Sequence, residues 1–522
     1  MRHAVVGRFI ALFLASFAVG CGGTEVSTEG PATGSIQQGI VDPSRSLAVT
    51  DEVILKHFPF ERVMEQLVAT SGVAGANKHD LFWQWWDTQN MGPSLGMGPN
   101  CDDETTGGVP SLNGFPWECP RGEGYQIGVD PYSPPDNPLY IPIGLFNRFD
   151  LAPANGTHCG EYRIVYAMNP NSGDAQGRNF IIFEAVLPNP KPDLGIEGCM
   201  PVAQMWYDLT SINDPDHRRE ILEKFYFHGW DYFPPVVHAE HYGTHLGGDG
   251  YGCSTGQIRT NQFVGGEWNL REFRLVKDCR CNNCFLLIVP TTVKDNPWGR
   301  LFDPTSGHAL TPLLQSTVLG SVGSLGNGGV NDLRWSVDNK LNPGESIAAG
   351  GGPDDYLNFF LSGTPSSPFF FNDIDMQIGG IFGPGFYTPE EIVTRAQTQN
   401  CAGCHHTTNF ANIGQGFIWP NSIDFVHVME FPSGGFFPIS DALINEFLPK
   451  RAQLLEDFIT SGGSSAPTDT KCRIPIPQEL DVDCRSKAAV RVDLRSFKPS
   501  GLEQLVRKDR DRIRTLGGSR TH

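Results

Sequence analysis

Thirteen cysteines in 522 residues, and above all the way they are grouped, restrict this chain more than any other feature. Ten of them fall into local sets: Cys101 with Cys119, Cys159 with Cys199, the four residues Cys253, Cys279, Cys281 and Cys284, and Cys472 with Cys484. An even number in close sets predicts five disulfides, which persist only in an oxidising compartment. For the set of four, zinc is the alternative, because His238, His241 and His245 lie just upstream. Cys21, Cys401 and Cys404 remain, and each has its own context.

Cys21 explains the compartment. Arg2 and Arg8 flank the start of an apolar run from Phe9 to Val19, which ends in Ala18-Val19-Gly20-Cys21. This resembles a bacterial lipoprotein signal, although Ala18 stands where Leu is commoner. The resemblance implies cleavage before Cys21, acylation of its thiol and new amino group, and anchorage to a bacterial membrane, with the outer membrane as the expected one. Ordinary secretion is the alternative. The run is too short to span a bilayer, and no later stretch of about 18 apolar residues occurs. Residues 21–45 are rich in Gly, Ser, Thr and Gln and read as a tether.

Cys401 and Cys404 belong to Cys401-Ala402-Gly403-Cys404-His405, the C-x-x-C-H pattern of covalent haem attachment. The spacing lets each thiol bond one porphyrin vinyl group while the next side chain meets the iron. Thr388-Pro389-Glu390-Glu391 upstream offers an N-cap, a proline for the first helical position and a capping-box glutamate, so a helix leads into the motif. Pro449 to Thr460 forms another helix, with Leu454, Leu455 and Phe458 at helical spacing and Gly462 as the stop. Residues 370–465 thus resemble a small class I cytochrome c domain. That resemblance implies one covalent haem c, His405 as proximal ligand, and Met429 or His427 as the distal one. His406 is placed too close to His405, and His522 ends the chain. A thioredoxin-like dithiol is disfavoured because the helix precedes the motif instead of following it; a structural disulfide, which leaves His405 without a role, or a zinc site is the remaining alternative.

The net charge of −19 is uneven: residues 471–522 carry thirteen Lys or Arg against seven Asp or Glu, leaving −25 on residues 1–470. An acidic body excludes nucleic acid as a partner, since phosphates require a positive face. It suits a basic redox partner or simple solvation. In the basic tail, Ser500 and Glu503 form a capping box ahead of an amphipathic segment.

The pattern between the termini is α+β. Asp51 and Asp80 are candidate caps for helices in residues 46–92, where Leu81, Trp85 and Trp86 form an apolar stripe. Short β-rich runs follow at Tyr162–Tyr166, Phe180–Phe183, Phe273–Leu275 and Phe285–Val289, and suggest one mixed sheet. A helix from Asp214, with Pro215 first and Ile221, Leu222 and Phe225 on one side, is expected to cover it. Glycines at 320–329 and 350–352 mark a boundary. The expected organisation is a signal at 1–20, a tether at 21–45, a disulfide-stapled β-rich domain with covering helices at 46–320, and a Gly-rich linker at 321–369. A small all-α cytochrome c-like domain at 370–465 and a disulfide-containing basic tail at 466–522 complete it.

Other motifs are weak. Ser254 and Ser94 both match G-x-S-x-G, but neither lies between a strand and a helix. His238, Glu240, His241 and His245 lack a metal-binding spacing. Arg148, Asp150, Arg259, Asn261 and Gln262 are candidates for a polar pocket, or for ordinary ion pairs. The expectation is an envelope lipoprotein that passes single electrons through one haem to an unidentified redox partner. The alternatives are a redox enzyme with its substrate site in the β-rich domain, and a surface binding or structural lipoprotein without haem.

Overall fold

Alternation of side chains along extended backbone sets the architecture, and the computed structural model describes it for residues 41–243, 256–264, 267–279 and 284–464. Eight strands form one sheet: β1 (Ala48–Val49), β2 (Tyr140–Arg148), β3 (His158–Met168), β4 (Arg178–Pro188), β5 (Gln257–Phe263), β6 (Asn269–Asp278), β7 (Phe285–Thr291) and β8 (Glu345–Ile347). The first seven lie in chain order, and β8 pairs with the start of β6, Asn269 to Arg271. Every pairing is antiparallel, so the expected mixed sheet is corrected. The short runs on which that expectation rested carry no information about direction, and β2 and β5 were not among them.

Period two gives the sheet two different faces. On β3, Tyr162, Ile164 and Tyr166 point one way, and Glu161, Arg163 and Val165 the other. The apolar face is covered by α1 (Phe60–Ser71), α2 (Lys78–Asp87), α3 (Met200–Asp208) and α4 (Pro215–Glu223), whose Phe60, Trp85, Trp86 and Trp206 are buried in one core with Tyr162 and Phe183. Trp85 meets Phe183 and Phe273 edge-on at 6.0 and 5.7 Å between ring centres. Asp214 caps α4 as expected, but α2 starts three residues earlier than predicted. Asn77 is its cap, and Asp80, the predicted cap, donates its backbone N–H to the Asn77 side chain.

The other face carries the C-terminal half. Residues 321–369, read from sequence as a linker, supply the end of α5 (Thr311–Leu325), then β8 and α6 (Tyr356–Gly363). Leu314, Val318, Val322 and Leu325 bury one side of α5, while Gly320 faces open space, so its glycines do not interrupt the packed stripe. α5 and α6 pack with α7 (Phe369–Ile381) and α8 (Pro389–Thr398) around a second core.

Residues 370–465, expected as a separate domain, lie against the sheet and belong to the same compact unit as the rest of the described chain. Phe437 N–H donates to the Thr50 carbonyl, and Phe458 of α9 (Leu448–Thr460) packs on Phe149 at 4.7 Å. The disulfides Cys101–Cys119 and Cys159–Cys199 form as grouped, and Cys279 pairs with Cys284. The signal with Cys21, His245, Cys253, Ser254, Cys281 and the tail with Cys472 and Cys484 lie outside the described residues. Among the described residues no helix is long and apolar enough to cross a membrane.

Candidate functional site

The C-x-x-C-H segment is held by both of its neighbours, α8 on one side and the sheet on the other. α8 begins as its sequence requires: the Thr388 hydroxyl accepts Glu391 N–H at 3.2 Å, and the Glu391 carboxylate accepts Thr388 N–H at 2.9 Å. Ile392, Val393 and Ala396 bury its apolar side, and the guanidinium of Arg395 donates to the Leu325 carbonyl at 2.9 Å. After Asn400 the backbone makes one helical turn and then a π-type turn over Gly403–Thr407, a local widening common at functional sites. Gly403 is obligatory there, because a Cβ would collide with the Gln397 carbonyl.

The sheet side fixes the same turn. Cys401 N–H donates to Asn296 Oδ1 and Ala402 N–H to Ser346 Oγ of β8, both at 3.1 Å. Cys401 and Cys404 are half-buried and unpaired. Burial pushes the Cys401 thiol up to about 12 and the Cys404 thiol to about 11, even though Arg259 stands near the first and Arg451 and Arg148 near the second.

His405 Nδ1 lies 2.8 Å from the Phe425 carbonyl. A carbonyl only accepts, so Nδ1 carries the proton and Nε2 keeps its lone pair. Burial lowers His405 to about 4 and drives His427 well below the ordinary imidazole range. His427 Nε2 is 3.4 Å from Cys404 Sγ, its Nδ1 is 2.8 Å from Ser440 Oγ, and its ring centre is 4.8 Å from that of His405. Of the two distal candidates, His427 is thus the one brought to the motif. Met429 sits partly buried at the edge of the main core, its N–H donating to the Pro438 carbonyl at 2.9 Å. His406 stacks on Phe425 with ring centres 4.0 Å apart.

Below the motif the sheet presents charge. Arg163 pairs with Glu161 and Glu184, Arg259 with Glu184 and Glu272, and Arg148 with Asp150, which also faces Arg451 of α9 at 3.6 Å. The register makes this lattice, since Arg148 lies opposite Glu161, Arg163 opposite Glu184, and Arg259 opposite Glu272. Burial raises the Glu184 carboxyl despite its two guanidiniums, whereas at Asp150 Arg148 and Arg451 outweigh burial and hold the group low. Burial, with Arg148 adjacent, brings Arg451 down to about 9.

Of the polar residues singled out from sequence, Arg148, Asp150, Arg259 and Asn261 stand on this face, while Gln262 points to the opposite one. Arg163, Arg451, Glu161, Glu184 and Glu272 were missed. Their signal was charge alternating with aromatics inside strands, as in Glu161-Tyr162-Arg163 and Arg271-Glu272-Phe273-Arg274. Elsewhere, His241 is buried with Nδ1 3.0 Å from the Val236 carbonyl, and the His238 ring accepts Glu240 N–H, so both are hydrogen-bonded histidines. Ser94 precedes Leu95, whose N–H donates to Asp87, in a loop.

The donor set suits haem c in part. Two unpaired thiols and an imidazole with its Nε2 lone pair free are what attachment and proximal ligation require. The His405–His427 spacing does not suit a macrocycle between the rings. Metal–nitrogen bonds of about 2 Å on opposite sides of one ion demand a wider gap than 4.8 Å between ring centres. Distal ligation by His427 therefore requires that ring to withdraw. Among the described residues no group of three or more His, Cys, Asp or Glu is arranged to hold a bare metal ion. No protein-family model, no curated protein and no solved structure matches the chain.

Proposed function

We propose that the chain is an exported, lipid-anchored c-type cytochrome that transfers single electrons through one haem bound to Cys401 and Cys404. One observation carries this reading. Cys401 and Cys404 alone among the described cysteines are unpaired, while the other six described cysteines form three disulfides, and they lead directly into an imidazole already oriented by the Phe425 carbonyl. The high thiol pKa values weigh against a thiol–disulfide oxidoreductase, whose attacking cysteine is a stabilised thiolate. When bound, haem supplies a one-electron iron couple. The protein's part is to hold His405 by its Nδ1 proton, to pack His427 against Cys404, and to set the motif over a balanced set of charges. Cys21 provides the anchor, and the partner is a redox protein with a basic docking face.

Production with a cytochrome c maturation system tests this directly. Sharp reduced α and β bands, and colour that stays with the polypeptide through acid–acetone extraction, are expected; a colourless product counts against it. Mass spectrometry of membrane fractions should find an acylated peptide starting at Cys21.

A second reading rests on the contacts Cys404 Sγ to His427 Nε2 and His427 Nδ1 to Ser440, the outline of a thiol nucleophile with its base. Burial keeps both partners neutral, so the pair is not an activated one. Rapid alkylation of Cys404 by iodoacetamide at pH 7 would favour it; slow alkylation, as for a thiol with pKa about 11, favours haem attachment.

A further inference from the structure

The carbonyl that receives the His405 proton sits at an unusual place in the backbone. Asp424 and Phe425 are consecutive non-glycine residues with φ of 47° and 69°, both left-handed. Such a pair persists only where surrounding contacts hold it. Those contacts come from the sheet. Arg178, the first residue of β4, donates through Nη1 to the Asp424 carbonyl at 3.1 Å and to Asp424 Oδ2 at 2.9 Å. Its Nη2 donates to Glu430 Oε2 at 2.8 Å, and its Nε to the other oxygen of that buried carboxylate. Asn261 of β5 donates from Nδ2 to the Phe425 carbonyl at 3.0 Å, the same oxygen that accepts from His405. Trp268 stacks on Phe425 at 5.3 Å, and the Arg178 guanidinium lies over Trp268 at 4.8 Å.

We infer that Arg178 and Asn261 are positioning residues for His405: by clamping Asp424 and Phe425 in the left-handed conformation, they aim the Phe425 carbonyl at Nδ1 and thereby select the imidazole tautomer whose Nε2 is free to bind a metal. Neither residue touches the motif itself. Each side of the clamp is necessary for a different reason: Arg178 fixes the chain direction at Asp424, and Asn261 fixes the azimuth of the Phe425 carbonyl. The metal half of this statement rests on the haem reading, whereas the tautomer half does not.

The two halves are tested separately. In the 15N-labelled full chain made without haem attachment, a long-range 1H–15N correlation spectrum should show His405 protonated at Nδ1. Arg178→Gln and Asn261→Ala should each shift it several-fold toward the Nε2-protonated form, with Arg178→Lys restoring part of the native ratio. An unchanged His405 tautomer in both variants overturns the proposal, whatever the haem experiment gives. If Arg178→Gln fails to fold, Asn261→Ala, which removes one neutral donor and no charge, decides alone. In haem-loaded protein the same variants should raise the midpoint potential, because an imidazole without its carbonyl acceptor is a weaker donor to iron. An unchanged potential with a changed tautomer overturns the metal half only.

Discussion

One sheet, two faces, and two different ways of being buried: the side under α1 to α4 is filled by aromatic rings, whereas the side under the C-x-x-C-H motif is filled by ion pairs. Tyr162 and Arg163 are neighbours in sequence, and one stacks on Trp206 at 6.0 Å while the other bridges Glu161 and Glu184. Apolar burial is non-directional, and an apolar core tolerates volume-conserving changes. A buried ionic lattice has every member dependent on its partners, and desolvation makes it a poor source of net stability. The first face is the apolar core of the molecule, and the second holds the ionic lattice beneath the motif.

That contrast breaks most visibly at Glu184, which lies between Arg163 and Arg259. Glu184→Ala removes the buried carboxylate shared by two half-buried guanidiniums, leaving each with one partner, and should cost about 3 kcal/mol in urea unfolding. On the opposite face, Ile181→Val should cost only about 0.5–1.5 kcal/mol. Equal losses at the two positions would mean that the faces are energetically alike.

The distinction sharpens with pH. Asp354, beneath the motif, accepts from Ile347 N–H and Asn296, and burial pushes its carboxyl up to about 7. A carboxyl raised in the folded state stabilises the protein at low pH, and that contribution is lost as pH rises from about 4 through 7. Asp354→Asn should therefore gain on the native protein across this window when urea midpoints are compared. The buried tyrosines of the aromatic face, Tyr140, Tyr162, Tyr166 and Tyr226, are pushed well above their ordinary alkaline value, so Tyr162→Phe should leave the profile between about pH 4 and 7 unchanged.

The smallest effect belongs to the helix that delivers Cys401. Thr388→Ala removes one half of the capping box and should lower thermal stability by about 1 kcal/mol, read by calorimetry, with both faces of the sheet intact.

Local chemistry in the chain was legible where one residue type does one job. Thr388 with Pro389 and Glu391, Asp214 with Pro215, and the stripe Leu81, Trp85, Trp86 all specify helices through caps or periodicity, and the helices are there. The cysteine groups at 101/119 and 159/199 were equally direct. Strand direction was not legible, because β-propensity has no sign. Nor was the packing of residues 370–465 on the sheet, which rests on long-range contacts such as Arg178 with Glu430 and Asp51 opposite Phe436. The candidate site was half visible: the pentapeptide announces itself, while the lattice below it depends on cross-strand register, which only the assembled sheet defines.

The cover over the thiols has a consequence for biogenesis. Residues 422–430 and α9 follow the pentapeptide in the chain, and α9 is anchored on α3 and Phe149, far back in sequence. On the haem reading proposed above, an enzyme that bonds the group to Cys401 and Cys404 would have its readiest access before this late segment docks, because the docked segment puts His427 Nε2 3.4 Å from Cys404 Sγ. Attachment would then compete with self-closure, and the timing of docking would set how much of the protein carries the group.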